Sequence, residues 1–383
     1  MLNGLPPLSL YVHLPWCVRK CPYCDFNSHQ LKGDAPTADY VDALLTDLEA
    51  DLPLVWGRTV STIFIGGGTP SLFPASDIER LLSGVAARIA VRPGAEVTME
   101  ANPGTLESGP LADYRAAGVT RLSLGVQSFN DRLLEKIGRI HSAACAEQAV
   151  RDALKAGFEG INIDLMFGLP GQSTAEMLAD LERALALDPG HISHYQLTLE
   201  PNTLFHRMPP SQLPDADLSW EMTEQAHQLL ADACYERYEV SAFARQGQAC
   251  QHNLNYWRFG DYLGIGAGAH GKITSGAEGT VKRFVKQRHP ATYLAGPERV
   301  IQTTTLGPDD LVFEFMLGAL RLRAGVAISD FTRRTGLSLA QLEPELHTGV
   351  EKGWLNVDAD RIAPSELGYQ YLNDVQGLFL RDV

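Results

Sequence analysis

The sequence lacks the features that mark membrane, secreted and nucleic-acid-binding proteins. No apolar run approaches the roughly 20 residues that a membrane-spanning helix needs. The first eight residues carry no basic side chain, so no signal peptide is predicted. The net charge of −14 argues against a nucleic-acid partner, because phosphate binding needs a basic surface. These absences predict a cytoplasmic protein and leave peripheral membrane association and homodimerisation open.

Cysteine is scarce, and half of it is scattered. The chain has 6 cysteines in 383 residues, and Cys145, Cys234 and Cys250 lie far apart in the sequence. We therefore expect no disulfide framework, and we expect the protein to function in a reducing compartment. The apolar content of 45% and the charged content of 20% are ordinary for a globular protein. At this length we expect one large domain and a smaller one.

The other three cysteines, Cys17, Cys21 and Cys24, lie within one short loop. Three thiolates in such a loop can converge on one metal centre. Three is too few to complete a tetrahedral zinc site or to bind all four irons of a cubane cluster. A cubane held by three cysteines leaves one iron free for another ligand. A zinc site with a distant fourth ligand and a chance grouping are the alternatives.

Short apolar segments alternate with helical patterns over the first half of the chain. Most are near-continuous apolar runs, which is typical of parallel strands covered on both faces. Thr37–Leu52 between the first two has an apolar face and predicts an amphipathic helix. The alternation predicts a parallel α/β sheet with right-handed crossovers, short of the eight units that close a barrel. The predicted strands are Ser9–Leu14, Ser61–Ile65, Glu96–Glu100, Arg121–Gly125, Gly160–Met166 and Ile192–Leu199.

The pattern changes after Pro201, and we divide the chain into a core (1–205), an extension and connecting segment (206–300) and a C-terminal domain (301–383). The last part predicts three helices followed by a hairpin, the order of a small winged-helix-like domain. Because the chain is not basic, we expect this domain to act as a docking element or lid. Its predicted elements are Asp309–Leu322, Ile328–Thr335, Leu339–Lys352 and Leu355–Ala363.

A glycine triplet, Gly66-Gly67-Gly68, directly follows the second predicted strand and leads into Thr69. Glycines let the backbone approach a ligand closely and leave N–H groups free to bind a carboxylate. A tight strand-to-helix turn is the simpler alternative.

Polar residues mark the ends of the next three strands. Glu100 ends the third strand, Gln127 lies at the end of the fourth, and Asp164 lies on the fifth. Arg139 follows Gln127 by twelve residues. Each alone could be a solvated residue or a structural cap. Together they indicate a binding site at the carboxyl ends of the strands.

The cysteine loop and these motifs resemble the radical S-adenosylmethionine (SAM) superfamily. The resemblance implies an open, partial (βα)6 barrel and a 4Fe–4S cluster on the three cysteines. It implies that the fourth iron chelates SAM and that an electron from the cluster cleaves SAM to a 5′-deoxyadenosyl radical. Tyr11 is implied to contact SAM, and Tyr23 to pack against adenine or the cluster. The remaining implied SAM contacts are Gly67, Gly68, Thr69, Glu100, Gln127, Arg139 and Asp164.

The succession of motifs is also similar to the oxygen-independent coproporphyrinogen III oxidase family and, within it, to the HemW-type heme chaperones. Phe26 stands where the oxidase pattern has a further cysteine, and Cys17 follows almost no N-terminal extension. Both departures favour the chaperone branch. That branch implies heme, heme-accepting proteins and an electron donor for the cluster as partners. The segments that carry the similarity are Tyr11–Cys17, Cys21–Phe26, Gly66–Pro70, Leu124–Phe129, Gly138–His141, Asp164–Pro170 and His252–Trp257.

His252 in the last of these segments is the candidate heme ligand, with Tyr256 and Trp257 stacking on the macrocycle. His270 is a weaker rival. No Cys-x-x-Cys-His segment occurs, so heme would be held without that covalent linkage. Two alternatives remain open: a true oxidase that decarboxylates coproporphyrinogen, and another radical SAM enzyme such as a methyltransferase.

Overall fold

The computed structural model describes residues 4–108 and 110–381, and one large mixed sheet dominates them. The order of its twelve strands is β14-β13-β12-β11-β1-β4-β5-β6-β7-β8-β10-β9. The strands of the described chain are β1 (Leu8–Leu14), β2 (Trp16–Cys17), β3 (His29–Gln30), β4 (Thr59–Gly67), β5 (Ala90–Ala101), β6 (Arg121–Gln127), β7 (Gly160–Phe167), β8 (His191–Gln196), β9 (Glu236–Arg237), β10 (Ala242–Ala244), β11 (Asp261–Ile265), β12 (His270–Ser275), β13 (Thr280–Lys286), β14 (Val300–Thr305), β15 (Val326–Ala327), β16 (Leu355–Val357) and β17 (Arg361–Pro364).

Helices connect these strands. The α-helices of the described chain are α1 (Thr37–Asp51), α2 (Ala75–Ala86), α3 (Leu111–Ala116), α4 (Asp131–Lys136), α5 (Ala143–Ala156), α6 (Thr174–Leu187), α7 (Leu204–Arg207), α8 (Ala216–Asp232), α9 (Gln251–Trp257), α10 (Pro290–Ala295), α11 (Pro308–Ala319), α12 (Ile328–Thr335), α13 (Glu343–Glu351), α14 (Glu366–Gln370) and α15 (Leu372–Gly377). Among them, none has the length and apolar character needed to cross a membrane.

The six predicted parallel strands are confirmed as β1, β4, β5, β6, β7 and β8, each paired in parallel with the next. Their buried apolar residues form the main core together with α1 and α2, which explains why the strands are so apolar. The sheet is open, since its outermost strands β14 and β9 do not pair with each other.

A seventh parallel strand was not predicted. Strand β11 pairs in parallel with the outer edge of β1, with Tyr11 opposite Gly264. Strands β12, β13 and β14 then continue the sheet in antiparallel order. The segment after Pro201 therefore extends the same sheet. Its glycines weakened the strand pattern in the sequence.

The C-terminal domain has its own hydrophobic core, built around Phe315 and Phe331. Helices α11, α12 and α13 precede the hairpin of β16 and β17, and β15 completes a three-stranded sheet. The predicted order of three helices and a hairpin is confirmed. The third predicted helix is divided into a 3₁₀ turn (Leu339–Gln341) and α13. Helices α14 and α15 follow the hairpin and were not predicted.

Candidate cofactor site

A cavity of about 570 Å³ opens at the carboxyl ends of β4 to β8 and extends inward to Arg121. The structure brings eleven of the thirteen residues that the sequence marked as site residues to its lining. Only Tyr11 and His252 do not line it. The eleven are Cys17, Cys21, Tyr23, Cys24, Gly67, Gly68, Thr69, Glu100, Gln127, Arg139 and Asp164.

The cysteine loop is tied directly to the glycine triplet. The Gly68 N–H donates to the Leu14 carbonyl and the Thr69 N–H to the Trp16 carbonyl, both at 2.8 Å. A Cβ atom at position 68 would lie 2.5 Å from the Trp16 carbonyl oxygen, which is closer than real Cβ contacts allow. Only glycine lets the two loops meet at this distance, so the sequence of one loop fixes the position of the other.

The three cysteines of this loop are free thiols, Cys17 buried and the other two partly buried. Burial raises the pKa of the Cys17 and Cys24 thiols, while the hydroxyls of Thr69 and Ser28 act in the opposite direction. Arg139 Nη1 donates to Cys21 Sγ at 3.6 Å.

No group of three His, Cys, Asp or Glu side chains in the described residues is arranged to hold a single metal ion. A tetrahedral zinc ion needs four ligands gathered around one point. A cubane cluster instead spreads its cysteine ligands over different irons.

Glu100 lies beside the glycine triplet at the end of β5. Its Oε2 accepts the Gly67 N–H at 3.0 Å. Burial, with a smaller contribution from the charge of Asp164, raises the pKa of Glu100 to about 7 against the opposing Gly67 hydrogen bond. A partly protonated carboxyl held in a cavity can accept or donate a hydrogen bond to a ligand that carries an amino and a carboxylate group.

The Arg139 guanidinium is only partly satisfied by the protein. Nη2 donates to the Gly125 carbonyl at 2.5 Å and Nη1 to Cys21. The Nε atom is buried and has no hydrogen-bond partner among the described residues. An unpaired buried donor on a cation is costly unless a ligand satisfies it. A carboxylate in the cavity would do so.

Asp164 belongs to a hydrogen-bonded network deeper in the cavity. Ser123 donates to its Oδ2 at 3.0 Å, and Asn162 donates to its Oδ1 at 2.7 Å. Ser193 and His191 also hydrogen-bond the Asn162 oxygen, at 3.1 and 2.6 Å. Burial raises the pKa of Asp164 although these hydrogen bonds oppose it.

Sequence reasoning missed the partners of Asp164, although a signal for them was present. Asn162 and Asp164 alternate on β7, and Ser193 and Tyr195 alternate on β8. Period-two polar residues in otherwise buried strands mark the face that lines a cavity.

Gln127 has an unusual backbone conformation at the edge of the cavity. Its φ angle of 70° is in the left-handed region, at an irregularity in the pairing of β6 with β7. Its side chain accepts the Tyr195 hydroxyl at 3.0 Å. Non-glycine residues in this region are uncommon and cluster at ligand sites. Tyr23, also on the cavity wall, packs against Phe205.

A second cavity of about 600 Å³ adjoins the first and shares Asp25, Phe26, Gly67 and Glu100 with it. Tyr11 lines this second cavity, where its hydroxyl hydrogen-bonds His13 Nδ1 at 3.0 Å. The implied contact of Tyr11 with SAM stays a prediction, because Tyr11 lines this second cavity and not the first.

The structure does not bring His252 to either cavity. Its side chain is fully buried, and both ring nitrogens are occupied: Nδ1 by the Thr62 hydroxyl at 2.9 Å and Nε2 by the Tyr256 hydroxyl at 3.0 Å. Burial lowers the pKa of His252 to about 3. A ligand to heme iron needs an accessible nitrogen, so the expected role of His252 as an axial ligand is not supported. Tyr256 and Trp257 of the same motif do line the second cavity.

Comparisons with known proteins show the family and the fold of the chain. The family model described as the radical SAM superfamily matches residues 11–184, and the model of the HemN C-terminal domain matches residues 306–371. The solved structure of coproporphyrinogen III oxidase (HemN) from Escherichia coli, a radical SAM enzyme, covers 98% of this chain and 90% of its own at a TM-score of 0.83 and 24% identity. The chain contains a radical SAM domain at residues 11–184 and has the fold of that enzyme.

Similar proteins of known name identify the family more closely. The heme chaperone HemW of Escherichia coli (strain K12) is 50% identical over 99% of both chains, and that of Haemophilus influenzae is 48% identical over the same shares. The HemW of Bacillus subtilis (strain 168) is 34% identical over 98% of this chain and 100% of its own. The chain belongs to the HemW family, as the motifs predicted.

Proposed function

We propose that this protein is a cytoplasmic heme chaperone that carries a 4Fe–4S cluster and SAM and delivers heme to acceptor proteins. The observation that carries the proposal is the convergence of the cysteine loop, the glycine triplet, Glu100 and Arg139 on one cavity. The names of the HemW relatives supply the heme and the chaperone activity.

Within this proposal the three cysteines bind three irons of the cluster. The unpaired Nε of Arg139 holds the carboxylate of SAM, and Glu100 accepts a hydrogen bond from its amino group. Gly68 and Thr69 line the cavity beside them, with their N–H groups bound to the cysteine loop. Gln127 and the Asp164 network fix the nucleoside half. When bound, the cluster supplies one electron from an external donor.

Phe26 supports the chaperone over the oxidase. It stands at the position of the oxidase's additional cysteine, it is 58% exposed, and it lies between the two cavities. A phenyl ring there cannot ligate iron or transfer a proton. It offers instead an apolar surface for a flat ligand.

The experiment begins with anaerobic reconstitution of the protein with iron and sulfide. Parallel samples then receive heme, or coproporphyrinogen III with SAM and a reductant. We expect a stoichiometric heme spectrum and no protoporphyrinogen. Turnover of the porphyrinogen would overturn the proposal in favour of the oxidase.

Two cysteine variants, prepared in the same way, test the cluster assignment. Cys24→Ala should abolish cluster assembly, measured as bound iron and sulfide, and should leave heme binding intact. The matched control is Cys234→Ser, because Cys234 is exposed and lines neither cavity. Full cluster content in Cys24→Ala would contradict the assignment.

A further inference from the structure

The second cavity has the composition of a site for a large, flat, anionic ligand. It lies between the sheet extension of β11 to β13, the helix α9 and the C-terminal helix α11. Its volume of about 600 Å³ is within the range of small-molecule pockets. Four aromatic side chains from one short stretch of chain line it: Tyr256, Trp257, Phe259 and Tyr262.

Two of these aromatic side chains are held at right angles. The rings of Tyr256 and Tyr262 meet edge to face with centroids 4.6 Å apart. Trp257 has a buried indole N–H without a partner among the described residues. A rigid aromatic wall and an unsatisfied donor are what a ligand with both a π-face and polar groups needs.

The cations at the cavity differ in availability. Lys272 is bound to Asp261, and Arg283 is bound to Glu314. Arg288 is exposed, and its guanidinium has no hydrogen-bond or ion-pair partner among the described residues. A free arginine at the rim of an aromatic pocket recognises a carboxylate.

His270 is the available imidazole of this cavity. It is the first residue of β12, its side chain is exposed, and no described residue hydrogen-bonds either ring nitrogen. Burial of part of the ring and the nearby Arg283 and Arg288 lower the pKa of His270. An imidazole coordinates metal in its neutral form. This is the opposite of His252, whose nitrogens are both occupied.

We propose that the second cavity is the heme site, with His270 as the iron ligand, the Tyr256–Trp257 wall against the macrocycle, and Arg288 on a propionate. The assignment rests on the proposed function and names where the heme binds. Heme at this position adjoins the SAM cavity across Glu100 and Phe26. The C-terminal domain contributes Leu317 and Gly318 to the same site.

The test is a titration of the full-length protein with hemin, followed by absorbance. We expect His270→Ala to shift the Soret band and to weaken binding at least about tenfold, and we expect imidazole to restore the wild-type spectrum to His270→Gly. His289→Ala is the control, because His289 is an exposed neighbour that lines neither cavity. Circular dichroism verifies the fold of each variant.

Two further variants test the pocket without touching His270. Leu317→Trp should fill the cavity and reduce heme affinity, since Leu317 lines it and is 40% exposed. Arg288→Glu should weaken binding more than the exposed control Arg92→Glu.

The outcomes distinguish an error in the proposed heme site from an error in the proposed function. Heme binding by His270→Ala with the wild-type spectrum and affinity would overturn the site and leave the proposed function standing. Failure of the wild-type chain to bind heme would overturn both.

Discussion

The Gly67 N–H donates a 3.0 Å hydrogen bond to the Glu100 carboxylate, and both residues line both cavities. One backbone donor from the end of β4 and one acid from the end of β5 thus form the partition between the cofactor site and the proposed heme site. A substitution at either residue is expected to affect both ligands.

Glu100→Gln should stabilise the ligand-free protein at alkaline pH while it weakens SAM binding. Burial raises the pKa of Glu100 to about 7 in the folded state, whereas the unfolded chain has the ordinary value of about 4.5. Ionisation of Glu100 is therefore disfavoured in the folded protein. It lowers the free energy of unfolding by nothing below pH 4.5 and by its full amount above pH 7. We expect a gain of about 1–3 kcal/mol at pH 8 and none near pH 4.5.

Urea unfolding of wild type and Glu100→Gln at both pH values measures this difference. The exposed Glu79→Gln, on α2, is a control that should show no pH-dependent gain. An equal gain at both pH values would show that packing, and not the charge, causes the effect.

Arg139→Lys should lower SAM affinity about 10- to 100-fold, because a lysine cannot replace the Nε donor while retaining the contacts to Gly125 and Cys21. Equilibrium dialysis of SAM against the reconstituted protein measures the change. Arg132→Lys is the matched control, since Arg132 is exposed and pairs with Glu176. Equal affinities for the two variants would remove Arg139 from the SAM site.

Much of this site was predictable because parallel strands end at one edge of the sheet. Glu100, Gln127 and Asp164 were placed together on that ground alone, and the structure brings them to one cavity. Asn162 and Tyr195 were missed although each alternates with another polar residue of its strand, because the short alternation shows which residues share a face and not which face lines the cavity.

The sequence was misleading at His252 for a related reason. A histidine beside aromatic residues resembles a ligand, yet the side chain is buried between Thr62 and Tyr256. Burial of this kind depends on β4, nearly two hundred residues away in the chain, and no local pattern encodes it. The pairing of β11 with β1, which sets Tyr11 opposite Gly264, is equally beyond a local pattern.

Gly68→Ala should destabilise the protein by about 1–3 kcal/mol and lower SAM affinity, because the added Cβ would lie 2.5 Å from the Trp16 carbonyl and push the cysteine and glycine loops apart. Gly296→Ala is the control: its Cβ would make only an ordinary 3.6 Å contact with the Thr292 carbonyl. Thermal unfolding and SAM dialysis measure the two effects. If Gly68→Ala had the wild-type unfolding temperature and the wild-type SAM affinity, separation of the two loops would carry no free-energy cost.

A buried lysine forms ion pairs between the sheet extension and α1. Lys286 on β13 contacts Asp47 and Asp51 of α1 at 2.7 Å each, and Tyr293 donates to the Asp47 carboxylate at 2.7 Å. All three charged side chains are buried. This cluster joins the strands beside the proposed heme site to the core.

Lys286→Met should therefore destabilise the fold by about 3–5 kcal/mol, because it leaves two buried carboxylates without their cation. Lys282→Met, which breaks the partly exposed pair with Glu278, should cost less than about 1 kcal/mol. Adding Asp47→Asn and Asp51→Asn to Lys286→Met removes the uncompensated charges and should recover most of the loss. Urea unfolding of the four proteins measures this series. A triple variant no more stable than Lys286→Met would show that hydrogen-bond geometry, and not buried charge, accounts for the role of the lysine.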